Sequence, residues 1–163
     1  MGSNEPTAAE LRTMFDEHGV ARLQAAYGDA VTRRAWKEVA EMFVPECPLR
    51  LDVGAAETRT ITGGEAVASL IATSIERFEF FEFALLNSVV DIVEPGAQAT
   101  GRLYMWELRQ DGETGRWTNA YGLYRDRYEH HEGRWRFAER RYSSLARTNA
   151  DGDAMLVFPI PHD

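Results

Sequence analysis

The sequence has a single cysteine, Cys47, among its 163 residues. An internal disulfide is therefore excluded, as are four-cysteine zinc sites and CxxC redox motifs. Cys47 lies between Pro45 and Pro48, and no neighbour in the sequence would activate its thiol as a nucleophile. The adjacent His130 and His131 point apart on an extended chain, so we expect no metal site there and no cofactor.

Long apolar runs are also missing. No stretch approaches the roughly 20 residues that cross a bilayer as a helix. Residues 1–10 lack the apolar segment of a secretory signal. These absences predict a cytoplasmic protein without a membrane partner.

Positive charge is scarce relative to negative charge. The chain carries 18 basic and 26 acidic residues, a net charge of −8, and Lys37 is its only lysine. Nucleic acids and anionic lipid surfaces are bound through basic faces. We therefore predict that neither is a partner.

The composition is that of one globular domain, with 44% apolar and 11% aromatic residues. Residues 1–6 are predicted to be a disordered lead, and residues 7–148 to form the domain. Residues 149–163 form a C-terminal extension. Its apolar run, Met155–Ile160, predicts packing on the domain or on a partner subunit.

The first part of the chain has the period of helices. Thr7 and Glu10 form a capping box at the first helix. Gly19 predicts a stop or kink before a second helix. Further helices are expected over residues 36–43 and 66–78.

The remainder has strand patterns separated by tight turns. The predicted strands are residues 49–53, 80–93, 103–108, 117–128 and 135–145. Helices followed by antiparallel strands indicate an α+β fold, with the helices layered on one face of the sheet. A strongly curved sheet of this kind leaves an apolar cavity at its open end.

Strand alternation assigns polar residues to one face of this sheet. The small residues Ala120 and Gly122 mark the crowded, concave face. Side chains of matching parity on the neighbouring strands are expected to enter the cavity together: Met105, Glu107, Tyr124, Arg140, Tyr142 and Ser144.

Several segments carry a family likeness: Leu23, Tyr27, Trp36 and Phe43–Glu46 near the start, then Tyr124–Tyr128, Gly133–Phe137 and Arg140–Tyr142. With these segments, residues 20–147 resemble the SnoaL-like, or nuclear transport factor 2-like, superfamily. The resemblance implies a cone-shaped α+β barrel. Its strongly curved, mostly antiparallel sheet would hold the N-terminal helices on the concave face.

Members of this superfamily differ widely in activity. They include ketosteroid isomerases, scytalone and bile-acid dehydratases, a lindane dehydrochlorinase, limonene epoxide hydrolase and polyketide cyclases. Others are small subunits of ring-hydroxylating dioxygenases or non-catalytic transport factors. Function must therefore be argued from the site.

The dehydratase-type members use an Asp–His pair. The matching positions here hold Thr32 and Phe83, which cannot exchange a proton as that pair does. The resemblance therefore implies that the dyad is missing and leaves these two residues as part of the binding wall.

The ketosteroid isomerases suggest other roles. Tyr27 matches their oxyanion-hole tyrosine, and Tyr124 matches their second donor. Their base position falls on Leu51, and the adjacent Asp52 would face the other side of the strand unless the loops shift the register. Arg140 matches a cavity arginine of the dehydrochlorinase-like branch.

Glu107 is the main candidate for a base, with Asp52 as the second. Burial in an apolar cone would raise the pKa of a carboxyl, as general acid–base chemistry requires. Alternatively, Glu107 forms a structural ion pair with Arg140. Tyr27 and Tyr124 would act as oxyanion donors or, alternatively, as ordinary core tyrosines. The remaining substrate-binding candidates are Thr32, Phe83, Met105, Arg140, Tyr142 and Ser144.

Three hypotheses for the function follow. The first is a cofactor-free isomerase, lyase or cyclase acting on a polycyclic or aromatic apolar substrate. The second is a non-catalytic ligand-binding or dimerisation domain, and the third is the small subunit of a ring-hydroxylating dioxygenase. Aromatic residues on the outer sheet face predict a homodimer in either of the first two cases: Tyr104, Trp106, Trp117 and Tyr121.

Overall fold

The computed structural model describes residues 5–54 and 57–161. The helices are α1 (Ala8–Thr32), α2 (Trp36–Glu41) and α3 (Gly64–Ile75). The strands are β1 (Pro48–Asp52), β2 (Arg59–Thr62), β3 (Phe78–Glu94), β4 (Gln98–Asp111), β5 (Trp117–His131), β6 (Arg134–Thr148) and β7 (Met155–Val157). Most of the predicted disordered lead, residues 1–4, lies outside the described residues, and residues 5–6 have no regular secondary structure.

The strands form one sheet in the order β2-β1-β6-β5-β4-β3, and β7 pairs with β6. Every pairing is antiparallel except that of β1 with β6. The sheet is curved but unclosed, and α1 packs against β3 and β6. The predicted α+β fold with a curved, mostly antiparallel sheet is therefore confirmed.

Helix α1 begins as predicted but does not stop at Gly19. Thr7 and Glu10 form both hydrogen bonds of the capping box. The helix then continues through Gly19, so the prediction of a stop or kink was wrong. A Cβ atom at Gly19 would lie 2.6 Å from Cδ1 of Trp135. Glycine is required here because Trp135 packs directly on the helix backbone.

The long strands extend beyond their predicted ends, and two short strands were not predicted. The end of β4, for example, reaches Asp111 through polar residues that give little apolar alternation. Strand β2 is also mostly exposed and polar. Strand β7 pairs with the end of β6, and the Phe158 amide donates to the Leu145 carbonyl at 2.9 Å. The described part of the extension therefore packs on its own domain.

The core lies between α1, α3 and the concave face of the sheet. Its centre is a group of aromatic rings in edge-to-face and tilted contacts, namely Tyr27, Phe43, Phe83, Tyr124 and Phe137. Such contacts fix ring positions as well as burying area. None of the described helices has the length and apolar character needed to cross a bilayer.

Candidate functional site

The strand register brings most of the predicted site residues to one face of four neighbouring strands, β3 to β6. Glu107 on β4 lies opposite Phe83 on β3 and Ala120 on β5. The next rows are Met105–Gly122–Ser144 and Leu103–Tyr124–Tyr142. Because side chains alternate along a strand, all of these residues face the helices.

Gly122 makes room for an aromatic ring on this face. A Cβ atom there would lie 2.3 Å from Cε2 of Tyr142 and 2.9 Å from the sulfur of Met105. The missing side chain therefore lets the Tyr142 ring lie against the sheet, close to Met105. The crowding inferred from Ala120 and Gly122 is present at Gly122.

Glu107 is largely buried, with 20% of its side chain exposed. Its nearest cation is Arg109, whose Nη1 lies 3.6 Å from the Glu107 carboxylate. Desolvation raises the pKa of Glu107, and the positive charge of Arg109 offsets part of that rise. Glu107 is therefore a carboxyl whose protonated form is favoured by its surroundings.

Arg140 has a different partner from the one considered in the sequence. Its Nε and Nη2 donate to the two carboxylate oxygens of Asp126 at 2.9 and 2.7 Å, and both side chains are fully buried. The structural alternative of a Glu107–Arg140 ion pair is therefore wrong. Desolvation favours neutral Arg140, but the Asp126 charge and hydrogen bonds hold its pKa above the ordinary value.

The Arg140 guanidinium also lies over aromatic rings. Its central carbon is 4.0 Å from the ring centroids of Tyr124 and Phe137 and 4.3 Å from that of Tyr27. Cation–π contacts of this kind stabilise a buried cation. Arg140 therefore places a fixed positive charge beneath the tyrosines.

A buried hydrogen-bond network holds Asp126 in place. The Tyr128 hydroxyl donates to Asp126 Oδ2 at 2.9 Å and accepts from Gln24 Nε2 at 2.8 Å. The Ser88 hydroxyl donates to Gln24 Oε1 at 2.7 Å. None of these four residues was in the sequence-predicted set. Asp126 and Tyr128 share the parity of Tyr124, and that signal could have identified them.

Tyr27 and Tyr124 are buried neighbours. Their ring centroids are 6.3 Å apart at an interplanar angle of 78°. Burial raises the pKa of both hydroxyls, and for Tyr124 the nearby Tyr27 and Glu107 raise it further. Burial and the charge of Glu107 raise the pKa of Tyr142 to about 12. All three hydroxyls therefore remain protonated donors near neutral pH.

Asp52 lies on the opposite face of the sheet. It pairs with Ser143 of β6, which faces outward, and its Oδ1 accepts from the Gly54 amide at 2.9 Å. Asp52 lines a separate outer cavity of about 690 Å³. The prediction of Asp52 as a second candidate base was therefore wrong. The register of β1 is not shifted, and a one-residue step along a strand turns the Asp52 side chain to the face opposite that of Glu107.

Thr32 and Phe83 are in direct contact. The Thr32 hydroxyl oxygen accepts a hydrogen bond from the Phe83 amide at 3.0 Å. The Phe83 ring packs edge-on against Tyr27, with 5.6 Å between the centroids. The two positions of the expected dyad are therefore adjacent in the fold, but neither side chain here can carry a proton in the required way.

A cavity of about 490 Å³ opens at the end of the concave face, beyond Glu107. Its lining is more charged than the apolar cavity predicted from the sequence, and includes Arg77, Arg109, Asp111, Arg116 and Arg147. The aromatic core fills the deeper end. These rim residues were not predicted because they come from strand ends and turns.

No group of three or more potential metal-binding residues occurs within residues 5–54 and 57–161. The His130 ring packs edge-on against Trp135, with 5.5 Å between the centroids. His131 lies 3.6 Å from Glu132. These contacts give each histidine a structural neighbour.

Comparison with known families places residues 12–141 in the SnoaL-like domain family. The chain belongs to this family. The predicted resemblance is therefore confirmed. A comparison with curated protein sequences found no match to this SnoaL-like domain.

Solved structures of the same fold include three from the bacterial genus Novosphingobium. A putative scytalone dehydratase from Novosphingobium aromaticivorans has a TM-score of 0.76 and 18% identity, covering 93% of this chain and 97% of that one. The hexachlorocyclohexane dehydrochlorinase LinA-type3 from Novosphingobium barchaimii has a TM-score of 0.73 and 18% identity, covering 93% and 99%. An NTF2-like protein with a cystatin-like fold from N. aromaticivorans has a TM-score of 0.71 and 24% identity, covering 93% and 96%. At these identities the likeness shows the fold.

In this SnoaL-like domain the concave face thus collects most of the sequence-predicted site. Glu107, Tyr124, Tyr142 and Ser144 lie on adjoining strands, and Tyr27 approaches them from α1. The arrangement can hold a proton acceptor next to protonated donors. It resembles the division of labour needed for proton transfer beside a carbonyl group.

Proposed function

We propose that this SnoaL-like domain is a cofactor-free acid–base enzyme, an isomerase, lyase or cyclase, for an aromatic or polycyclic small molecule. The observation that carries the proposal is the position of Glu107. It is mostly buried on the concave face, and Arg109, which lines the cavity at the end of that face, lies 3.6 Å from its carboxylate. Asp126, a fully buried carboxylate of the same core, has instead a close, bidentate partner.

In the proposed reaction Glu107 removes a proton from the carbon next to a carbonyl group. The electron pair of the broken C–H bond moves towards the carbonyl oxygen, and Tyr124 donates a hydrogen bond to that oxygen. Tyr27 would hold the Tyr124 ring in position through their edge-to-face contact. The protonated carboxyl then returns the proton to another carbon of the substrate, or to a leaving group.

The remaining predicted residues would serve binding. Met105, Phe83, Tyr142 and Ser144 would form the wall of the binding site around Glu107. Thr32 would position Phe83 through its hydrogen bond to the Phe83 amide. Arg140 is fully buried below the rings, so it would act through its charge on Tyr124 and Tyr27 rather than by touching the substrate.

A substrate-independent test uses 5-nitrobenzisoxazole. A base removes its ring proton, the N–O bond breaks, and a coloured phenolate forms. We expect the protein to accelerate this reaction and Glu107→Gln to reduce kcat at least about 100-fold. Glu82→Gln is the matched control, because Glu82 lies one residue from Phe83 on the exposed side of β3. Equal rates for the protein and its Glu107→Gln variant would refute the assignment.

A second candidate function is non-catalytic ligand binding. The Thr32–Phe83 contact favours it, because the two positions are next to each other and carry no dyad chemistry. A binding domain would retain affinity for aromatic ligands but give no acceleration with 5-nitrobenzisoxazole. Isothermal titration calorimetry and the rate assay on the same sample separate the two functions.

We also propose a homodimer through the outer sheet face. Trp117 and Tyr121 are 49% and 36% exposed there, and Trp106 stacks on Tyr121 with 6.4 Å between the centroids. Exposed aromatic groups of this kind mark association surfaces. Light scattering at micromolar concentration should give twice the chain mass. A monomer would contradict the dimer, and a chain that is stable only with a different subunit would favour the dioxygenase small-subunit hypothesis. A cytoplasmic location stays a prediction.

A further inference from the structure

Four arginines surround the cavity at the open end of the concave face. We call Arg77, Arg109, Arg116 and Arg147 the arginine rim. We propose that the arginine rim binds the carboxylate of an aromatic or polycyclic acid at the end of the cavity nearest Glu107. The assignment deepens the proposed function and rests on it for the role of Glu107.

The charge of the rim is opposite to that of the chain. The chain has a net charge of −8, whereas the cavity lining contains four arginines and one carboxylate, Asp111. A cluster of one sign in a concave site focuses the electric field and attracts ligands of the other sign. The rim would therefore attract anions to a molecule that otherwise repels them.

The rim arginines are held in place but only weakly neutralised. Arg77 and Arg109 lie over the Phe78 ring, at 4.9 and 5.3 Å from its centroid. Arg77 is 3.7 Å from Asp111, longer than a hydrogen bond. Arg109 approaches Glu107 only to 3.6 Å. The aromatic ring thus orients two cations whose carboxylate contacts are both loose.

Arg109 also has an unused donor. Its Nε is buried and has no hydrogen-bond partner among the described residues. Burial lowers the pKa of its guanidinium, which shows the cost of holding this charge away from water. A bound carboxylate would accept that hydrogen bond and neutralise the charge, and charge-assisted hydrogen bonds are the stronger kind.

The other two rim residues, Arg116 and Arg147, have no carboxylate partner within the part of the chain that the structure describes. Arg116 Nη1 donates to the Ala150 carbonyl at 2.9 Å, which fixes the side chain without neutralising it. The Arg147 guanidinium carbon lies 5.5 Å from the Phe158 ring centroid. Both contacts come from the C-terminal extension, which therefore helps to shape the rim.

The geometry links the rim to the proposed base. Arg109 follows Glu107 by two residues on the same face of β4, a step of about 7 Å along a strand. That distance is comparable to the length of an aromatic ring. A carboxylate bound at Arg109 would therefore lie within about one ring length of the proposed base.

Calorimetric titration with 2-naphthoate and with its neutral isostere 2-naphthamide tests the proposal. We expect the acid to bind about tenfold or more tightly than the amide, and its affinity to fall with added salt. Arg109→Gln and Arg147→Gln should abolish this preference. Arg134→Gln, at the exposed start of β6 and at the opposite end of that strand from Arg147, should leave it unchanged.

Equal affinities for acid and amide, or no binding of 2-naphthoate, would overturn the proposal. So would an unchanged preference in folded Arg109→Gln and Arg147→Gln variants, with folding checked by circular dichroism. Glu107→Gln should retain the preference for the acid. The protein could prefer 2-naphthoate while Glu107→Gln leaves the rate with 5-nitrobenzisoxazole unchanged. That result would refute the proposed enzyme and support the anion site.

Discussion

Arg140 and Asp126 form a two-point ion pair inside the aromatic core, with Nε–Oδ1 and Nη2–Oδ2 distances of 2.9 and 2.7 Å. They lie opposite each other on β6 and β5, so the pair joins the two central strands. A buried charge is tolerated only when its partner stays in place. Their mutual dependence makes this pair the most sensitive point of the concave face.

The stability of the fold should depend on the charge of Asp126. Asp126→Asn should lower the free energy of unfolding by about 3–5 kcal/mol, because Arg140 would remain charged and buried without a counter-ion. Urea denaturation followed by circular dichroism measures the change. Arg33→Gln is the control, since its ion pairs with Asp29 and Glu38 are exposed and should contribute little to stability. Comparable losses in the two variants would contradict the prediction.

Glu107 should reduce stability at neutral pH. Its folded-state pKa is raised by burial, so the folded protein holds this proton more tightly than the unfolded chain does. Its contribution to stability is fully present below the unfolded pKa and is lost as the pH rises through the folded pKa. Glu107→Gln should therefore raise Tm at pH 7, by about 2–4 °C for each 1 kcal/mol gained.

The gain in Tm from Glu107→Gln should disappear at acidic pH, because glutamate and glutamine at position 107 are both neutral there. Thermal scans of the two proteins from pH 4 to pH 8 measure this. A Tm difference that is independent of pH would show that the effect comes from packing instead of charge.

The pH dependence of catalysis should move when Arg109 is neutralised. The charge of Arg109 lowers the pKa of Glu107, so Arg109→Gln should raise that pKa further. Because the base must be ionised, the rise of the rate with 5-nitrobenzisoxazole should shift to higher pH. A shift to lower pH, or none, would mean that Glu107 is not the titrating base.

Gly19 provides a test of helix packing against helix propensity. Alanine at an exposed helix position would gain about 1 kcal/mol over glycine. At Gly19 the new Cβ would meet the Trp135 ring, so we expect Gly19→Ala to lose about 1–3 kcal/mol instead. Urea denaturation measures the sign. Glu17→Ala, on the exposed side of the same helix, should change stability by about 0.5 kcal/mol or less.

The sequence was sufficient for those parts of the fold that depend on local periodicity. Alternation along β4, β5 and β6 placed Glu107, Tyr124 and Tyr142 on one face, and the observed register puts them on adjacent strands. The two-residue period of a strand makes such an assignment robust to uncertain strand ends. The capping box at Thr7 and Glu10 is similarly local.

Features that depend on distant contacts could not be predicted in the same way. Gly19 has the local character of a helix stop, but its role is set by Trp135, more than 100 residues away. The partner of Arg140 depends on which residue of β5 lies opposite, which requires the exact register of the hairpin. The arginine rim combines strand ends, a turn and the C-terminal extension, and no single segment shows that convergence.

The parallel pairing of β1 with β6 constrains how the chain folds. Leu49 and Arg140 are register partners although about 90 residues separate them along the chain. The pairing of β1 with β6 can therefore form only after the last long strand has been synthesised. At synthesis rates of about 5–20 residues per second, that delay lasts roughly 5–20 s on the ribosome. During this interval β1 can pair with β2, but its other edge has no strand beside it. Non-local pairings of this kind also slow refolding, so the closing of the sheet, rather than the formation of α1, should limit the folding rate.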